Sequence, residues 1–439
     1  MTSRYSNPLL HLNDQDGVYP PSWYADTATG ILETQPLQGD HRCDVPVIGG
    51  GFTGLSAALN LAERGYSVSL LDAHRIGWGA SGRNGGQVGT GQRVAQDELE
   101  QKVDSGLARD AWKIAEEAKG LVTDLIARHQ IPCDYRSGSI HANHRRRYDH
   151  HSRQFVELLN EKYDYDKIRY VPPDEMQTLV GCKGYSAGTL DMGAGHLHPL
   201  NYALGIARAA MTAGAALFER SEVTHIDIGD PVRLYTAQGS LTARYVLYAC
   251  NGYIGSLEKS IGQRVMPINN YIIATEPLDD DCVRRLIANG ACVSDSRFVV
   301  NYFRCSADNR MLFGGGESYG YRFPRDIKTF VRRYMLKIYP DLKEVKVEYG
   351  WGGTLAITMS RLPYFQRHSA NIFPASGYSG PGVALATGAG AMLAEVIDGV
   401  ASRFDVMNRL PTPRFPGGRA LRSPLLALAM TWFAIRDRL

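Results

Sequence analysis

Asp44-Val-Pro-Val-Ile-Gly-Gly-Gly-Phe-Thr-Gly54, followed by Leu70-Leu-Asp72 and then Gly79-Ala-Ser-Gly-Arg-Asn-Gly-Gly86, is the stretch on which the fold turns. Val45, Val47 and Ile48 supply a short buried strand, and Gly49, Gly51 and Gly54 fit the pattern G-x-G-x-x-G of a nucleotide-binding turn. Gly49 permits the tight turn, Gly51 lets the backbone approach a pyrophosphate, and Gly54 lets the next helix lie close to the sheet. That helix reads Phe52 to Arg64, with Leu55, Ala58, Leu59 and Ala62 on one face and Gly65 as its stop. Its N-terminus offers free N–H groups and a partial positive charge to phosphates. A second strand, Ser67 to Leu71, delivers Asp72, whose carboxylate suits ribose hydroxyls. Strand, helix, strand and acid fall in order within about 30 residues, the length of one such unit. A glycine turn made for structure alone lacks that order. Pro46 removes a ladder donor, so the strand is expected to start irregularly or to hold the ring at a non-bonding position.

Length and composition agree with a globular protein of two or three domains. A chain of 439 residues exceeds one ordinary core. Hydrophobic residues make up 44% and charged residues 21%, both ordinary for a globular protein. A net charge of +3 gives no electrostatic footprint for nucleic acid, and the short run His144-Arg-Arg-Arg147 reads as a solvated helix end. Seven cysteines, odd in number and without C-x-x-C spacing, argue against a disulfide framework or a zinc site and for a reducing compartment. His11, Asp14 and Asp16 stand where an export signal would need an apolar run, so a cytoplasmic location is expected. Pro424 to Ala434 is about half the length needed to cross a bilayer. It reads as an amphipathic C-terminal helix, for core packing or subunit contact ahead of a peripheral membrane role, which leaves an oligomer open and predicts no transmembrane segment.

Periodicity predicts one long helical stretch after Val94, through Leu99, Trp112, Ile114, Leu121 and Leu125, then a short strand at Ser137–His141. A helix over Asn201–Ala213 leads to strands at Ala216–Phe218 and Glu222–Ile226. One buried strand beginning at Ala243 ends in a glycine turn at Gly252, and strands dominate from Ile268 to Gly350, including Tyr271–Thr275 and Arg310–Gly314. Near the end, Asn371 to Gly382 repeats the strand-then-glycine-turn pattern, and Val383 to Ile397 is a helix of small residues.

Taken together, these motifs resemble the D-amino-acid-oxidase-like flavoprotein family, in its γ-glutamylputrescine oxidase branch. The resemblance rests on Ser22-Trp-Tyr-Ala25, Gly49 to Gly54, Ile76 to Gln87, and Gly195-His-Leu-His-Pro-Leu-Asn201. Tyr302-Phe-Arg304, Ala307 to Arg310, Gly314-Gly-Gly316, Ser360-Arg-Leu-Pro363 and Gly377-Tyr-Ser-Gly380 carry it further. The tail motif Phe415 to Arg422, with Arg436-Asp-Arg438, points to the branch.

The family implies an α/β fold of two parts: a doubly wound FAD-binding domain and a second, mostly antiparallel sheet over the flavin. The implied division is an arm over residues 1–40, an FAD domain from 41–125, 195–255 and 360–405, a substrate domain from 126–194 and 256–359, and a tail helix over 406–439. On that reading Gly49, Gly51, Phe52, Thr53 and Gly54 hold the pyrophosphate, while Asp72 and Ala73 meet the adenosine ribose. Arg75 and the backbone of Val223 sit near the adenine. Ser81, Arg83, Asn84, Gly85, Gly86 and Gln87 run along the cofactor, and Gly252, Gly377, Gly380, Pro381, Gly382 and Val383 border the flavin. Arg75 and Gln87 each equally admit a plain surface role.

The implied chemistry moves a hydride equivalent from the amine-bearing carbon to flavin, giving an imine that water hydrolyses to an aldehyde. Reoxidation by oxygen, or by another electron acceptor, completes turnover. A charged ammonium cannot assist hydride loss, so a partly buried aromatic pocket must favour the neutral amine. Tyr271, Tyr302, Trp351 and Tyr378 are candidate pocket walls, with Tyr253 beside them, and each equally admits a core role. No catalytic base is assigned. Three departures from relatives shape the expected substrate. Leu355 stands where an arginine clamps an α-carboxylate, so an amine far from any carboxylate is favoured, with Arg304 as a candidate grip for a distant one. Gly353 replaces a flavin-linking cysteine, so FAD is expected to be non-covalent. Leu312 replaces an oxygen-activating lysine and Pro381 a histidine, which leaves oxidase and dehydrogenase both open. The expected substrate is γ-glutamylputrescine or a related ω-amine of polyamine catabolism. A secondary-amine, imino-acid or amino-acid oxidase or dehydrogenase is the alternative (pipecolate, sarcosine or glycine type), and a non-catalytic dinucleotide-binding protein is a reading from a different class.

Overall fold

The computed structural model describes residues 7–318 and 320–417. The expected C-terminal helix at 424–434 and the tail motif beyond Gly417 lie outside them. The strand Val45–Ile48 is central in a six-stranded sheet, in the order Tyr364–Phe365, Ile372–Ser376, Val246–Tyr248, Val45–Ile48, Val68–Leu71, Ala216–Phe218. All neighbours are parallel except the edge pair Tyr364–Phe365 with Ile372–Ser376. Pro46 is tolerated because the ladder to Val246–Tyr248 begins one residue later, at Val47 paired with Leu247.

Helices Phe52–Glu63 and Gly382–Ile397 pack against each other beside this sheet. A β-carbon on Gly390 would lie 2.3 Å from the Thr53 carbonyl oxygen, so the small residues of Gly382–Ile397 are there to let two backbones approach. Nearly every residue of that helix is buried, including Leu385, Met392 and Leu393. Such burial contributes about 25 cal/mol per Å² of apolar surface removed from water.

The antiparallel part is larger than the sequence suggested. Nine strands form one sheet in the order Val347–Thr358, Val265–Thr275, Met311–Ser318, Tyr302–Cys305, Cys292–Asp295, Arg136–Ala142, Gly188–His196, Gln87–Val88, with Ile168–Val171 also paired to Gly188–His196. Its core holds Tyr271, Phe303, Phe313 and Tyr339. A four-stranded sheet joins Gly39–Cys43 to Gly239–Ala243, Val232–Tyr235 and His225–Asp227.

Three local expectations are corrected. The helical stretch after Val94 is two helices, Gln96–Lys102 and Ser105–Arg128, because Asp104 caps the second by accepting from the Leu107 N–H at 2.9 Å. The strand expected at Glu222–Ile226 is His225–Asp227, and Ser221–Val223 is irregular backbone. The run from Ala243 is split: Ala243 ends one strand, Val246–Tyr248 forms another, and a 3-10 turn at Asn251–Tyr253 follows.

The N-terminal arm is built into the molecule. Ser22 caps the short helix Trp23–Asp26, and the Trp23 indole N–H donates to Asp308 at 3.1 Å. Tyr24 is wholly buried, its ring 5.2 Å from that of Trp351. His74 accepts from the Gly17 N–H through Nδ1 and donates through Nε2 to the Leu10 carbonyl, which fixes the arm over the first βαβ unit. No single described helix is long and apolar enough to cross a membrane.

Candidate active site

A cavity of about 510 Å³, within the range of small-molecule sites, is lined both by the glycine turn and by one face of the nine-stranded sheet. At the turn, Gly49 sits at φ +111°, and a β-carbon there would meet the Ala249 carbonyl oxygen at 2.7 Å. A β-carbon on Gly51 would lie 2.8 Å from Ser81 Oγ, which itself accepts from the Phe52 N–H at 3.0 Å. Asp72 accepts from the Gly50 N–H through Oδ2 (2.7 Å) and from the His74 N–H through Oδ1 (2.8 Å). A carboxylate has about four lone-pair sites, so acceptor capacity remains for ribose hydroxyls. Burial pushes this carboxyl up to about 6 against the pull of those two N–H groups. Ala73 and Val223 line the same region. A bare backbone cradle beside an acid with spare lone pairs fits a dinucleotide.

The second glycine loop braces itself. Asn84 donates to the Ala80 and Ser81 carbonyls and accepts from the Gly86 N–H at 2.7 Å. Arg83 is buried: it donates to the Trp78 and Gly352 carbonyls, pairs with Asp14 at 2.7 Å and lies over the Trp78 ring at 4.3 Å. Gln87 donates to the Val293 carbonyl. Ser81, Arg83, Asn84, Gly85 and Gln87 line the cavity, as do Phe52, Thr53 and the turn Gly380, Pro381, Gly382 and Val383. That turn opens the sixteen-residue helix Gly382–Ile397, whose N-terminal dipole favours negative charge nearby. Tyr378 lines the cavity too, its hydroxyl 2.6 Å from Thr53 Oγ1.

Other expected site residues are placed elsewhere. Arg75 pairs with the fully buried Glu219 at 3.0 Å and does not line the cavity. Arg304 is 3% exposed and donates to the Gly85 and Leu197 carbonyls and the Tyr24 hydroxyl, so its charge is spent inside the protein. Tyr271 is turned into the core, bonded to Ser318 and edge-on to Phe323 and Phe330. Trp351 donates to the Arg83 carbonyl from a buried position. Gly54, Gly86, Gly252 and Gly377 shape backbone outside the lining: a β-carbon on Gly54 would sit 1.9 Å from the Gly49 carbonyl oxygen. Among the family departures, Leu355, Gly353 and Pro381 line the cavity, whereas Leu312 is buried away from it.

The sheet face over the cavity carries a row of which the sequence pointed only to Tyr302. His141, Ser294 and Tyr302 are register partners on three neighbouring strands, so their side chains share one face. Ser139 lies two residues before His141 on that face. Tyr302 donates to Asn270, which also lines the cavity. His141 lines the cavity, and burial among its walls, helped by the cations around it and opposed by Asp295, holds its imidazole down at about 4. It is therefore neutral near pH 7. The strand Ser137–His141 was legible, and alternation along it placed Ser139 and His141 on one face. Nothing local marked that face as the cavity side.

A family model described as DAO, FAD dependent oxidoreductase, matches residues 44–396. The chain is 41% identical over 418 residues to a probable oxidoreductase OrdL of Rhizobium meliloti (strain 1021), spanning 95% of this chain and 97% of that one. It is 39% identical over 424 residues to the gamma-glutamylputrescine oxidoreductase of Escherichia coli (strain K12), spanning 95% and 98%. Among solved structures, glycine oxidase from Geobacillus kaustophilus shares the fold, with a TM-score of 0.72 at 22% identity over 86% of this chain and 100% of that one.

Proposed function

We propose, from the premise that this chain belongs to the DAO family of FAD-dependent oxidoreductases, that it oxidises an amine remote from any carboxylate, γ-glutamylputrescine or a related ω-amine. The broader statement, an FAD-dependent oxidoreductase of amine or amino-acid substrates, follows from the family itself. Similarity over nearly the whole chain to a relative named for γ-glutamylputrescine supports the narrower one.

The observation that carries the proposal is the character of the cavity wall. Leu355 lines the cavity as an apolar group, Arg304 is buried elsewhere, and the sheet face carries the hydrogen-bonding row His141, Ser294 and Tyr302, while the arginines of the lining, Arg83, Arg93 and Arg361, come from other segments. FAD, when bound, supplies the hydride acceptor. The protein's part is to hold the amine neutral and oriented. Low-dielectric walls disfavour an ammonium, and the neutral His141 ring has one nitrogen to accept an N–H from the amine. Proton loss to solvent and hydrolysis of the released imine to an aldehyde complete the half-reaction on the substrate. We take oxygen as the electron acceptor, with hydrogen peroxide as product, and FAD as non-covalently held. Seven free cysteines support a cytoplasmic site of action.

Anaerobic mixing decides the reading. γ-Glutamylputrescine is expected to bleach the flavin within a turnover time, and glycine or sarcosine to leave it oxidised. Rapid reduction by α-amino acids with none by remote amines overturns the substrate class. Peroxide formed in air at the rate of amine loss supports an oxidase; rapid reduction with slow reoxidation refutes it.

A further inference from the structure

The N-terminal arm forms part of the cavity wall. Asn7 and Leu10 both belong to the lining, Asn7 just before the short helix Pro8–His11 and Leu10 within it. Asn7 is fastened to one side. Its side-chain N–H donates to the Tyr253 carbonyl, and a β-carbon on Gly255, at φ +56°, would lie 2.7 Å from Asn7 Cγ. Tyr253, Ile254, Ser256 and Leu257 line the cavity on that side. Leu10 and His11 are fastened to another. His74 Nε2 donates to the Leu10 carbonyl at 3.0 Å, and the His74 backbone N–H donates to Asp72. His11 lies between Asp16 at 2.7 Å and Glu222 at 3.2 Å, and Glu222 lines the cavity next to Val223. Asn7 to His11 therefore runs between the Tyr253 turn and the side of the cavity that holds Asp72 and Val223. Farther along, Val18 and Tyr19 are held to Trp78 and Ile76 at 3.0 and 2.7 Å without lining the cavity themselves.

We propose that Asn7–His11 is a strap over the adenosine half of FAD, seated in this structure and unseated when the coenzyme enters or leaves. Asp72 and Val223 are the groups that would meet the adenosine, and the strap is tied through His74 and Glu222, their near neighbours in the chain. The aliphatic side chain of Leu10, 8% exposed, suits the apolar face of a purine. Asp72 links coenzyme and strap: a ligand that fixes its carboxylate fixes His74, and His74 holds Leu10. Such coupling is reciprocal, so whatever factor the seated strap adds to FAD affinity, FAD adds to the seating of the strap. Opening breaks the contacts with Tyr253, His74 and Glu222 and spares those of Val18 and Tyr19. The role is the same whichever amine is oxidised.

The test measures FAD release from the holoenzyme as the return of free-flavin fluorescence after dilution, and FAD uptake by the apoprotein as its quenching. Leu10→Ala is expected to speed release ~10-fold, the worth of part of a buried leucine side chain. Asn7→Ala is expected to speed release and uptake together, because it loosens the fastening to Tyr253 and lowers the barrier to opening. Tyr19→Phe removes a bond from the same arm outside the lining and is expected to leave both rates as in the wild type. Hydrogen exchange over residues 7–19 of the wild-type chain needs no variant. At the Leu10 N–H, which donates to the Asn7 carbonyl at 3.0 Å, FAD is expected to slow exchange ~10-fold, the reciprocal of what the strap does for FAD. Release rates unchanged in both Leu10→Ala and Asn7→Ala, or exchange at Leu10 indifferent to FAD, overturn the strap. Release as fast in Tyr19→Phe as in Leu10→Ala also overturns it, since the effect then belongs to the stability of the arm alone. A wild-type protein that takes up no FAD removes the coenzyme site and the strap together, a result distinct from tight FAD beside an indifferent arm.

Discussion

Gly51→Ala and Gly54→Ala add the same methyl group three residues apart and should fail in different ways. On Gly54 the new β-carbon falls 1.9 Å from the Gly49 carbonyl oxygen, a backbone atom. Real β-carbons come no nearer than about 3.0 Å to such atoms, so helix Phe52–Glu63 must move by roughly 3.0 − 1.9 = 1.1 Å relative to the turn. That helix is wedged between the sheet and Gly382–Ile397, with Leu55, Leu59 and Leu61 fully buried. Overpacking of this kind costs about 3 kcal/mol, or roughly 3 °C in a chain of this size. On Gly51 the β-carbon meets only Ser81 Oγ, at 2.8 Å, the end of a short side chain that can rotate at the expense of one hydrogen bond, the one it accepts from the Phe52 N–H. The fold should survive, and the methyl group should occupy the place where the pyrophosphate approaches the backbone. Thermal unfolding of the apoproteins and FAD titration by fluorescence quenching separate the two effects. Gly54→Ala is expected to lower the apo Tm by several degrees. Gly51→Ala is expected to keep the Tm within about 1 °C and to weaken FAD binding ~100-fold, about 2.7 kcal/mol. The reverse pattern, a destabilised Gly51→Ala that still binds FAD normally, refutes the assignment of the two glycines.

Asp14→Asn leaves Arg83, whose side chain is 1% exposed, without its carboxylate; breaking a buried pair costs about 3 kcal/mol, and unfolding at the arm should be visible as faster proteolysis near residue 14. Arg304→Gln strips acceptors at 2.9, 3.0 and 3.3 Å of their donor and should destabilise the protein by about 2–3 kcal/mol without altering the preference between γ-glutamylputrescine and its carboxamide. A changed preference would restore Arg304 as a substrate contact. Acid stability follows from three buried histidines: burial holds His74 down at about 4 and His196 and His198 down at about 3, each from 6.5. The unfolded chain takes up these protons first, so their contribution is intact above pH 6.5 and drains as pH falls from there toward 4, at up to about 1.4 kcal/mol per group per unit. Apo Tm should therefore drop steeply between pH 6.5 and 4, and a flat profile over that window contradicts the assignment.

The coenzyme end of the site was legible because its causes are local. Gly49 to Asp72 form one strand-helix-strand unit whose turn, packing and acid all lie in sequence order, and the helix and second strand were found within a residue or two of their ends. The substrate end was not, because its causes are distant. Arg304 looked like a free cation, yet its acceptors, the Gly85 and Leu197 carbonyls, come from segments far along the chain. Arg75 is neutralised by Glu219 in the same way. Tyr271 was placed in the pocket, but its neighbour Asn270 lines the cavity instead; in a strand the faces alternate, so an error of one position reverses the side chain. The break at Asp104 was written in the sequence as an Asp-Ser start signal, which the longer apolar periodicity concealed.

The walls of the cavity are drawn from positions as far apart as Asn7 and Ala386. The cavity is therefore complete only once the chain through Ala386 has folded, and full-affinity loading of the coenzyme is expected to follow synthesis of most of the polypeptide. Cellular riboflavin supply then acts on finished polypeptides, so vitamin starvation should leave a pool of intact apoprotein that recovers activity on repletion without new translation.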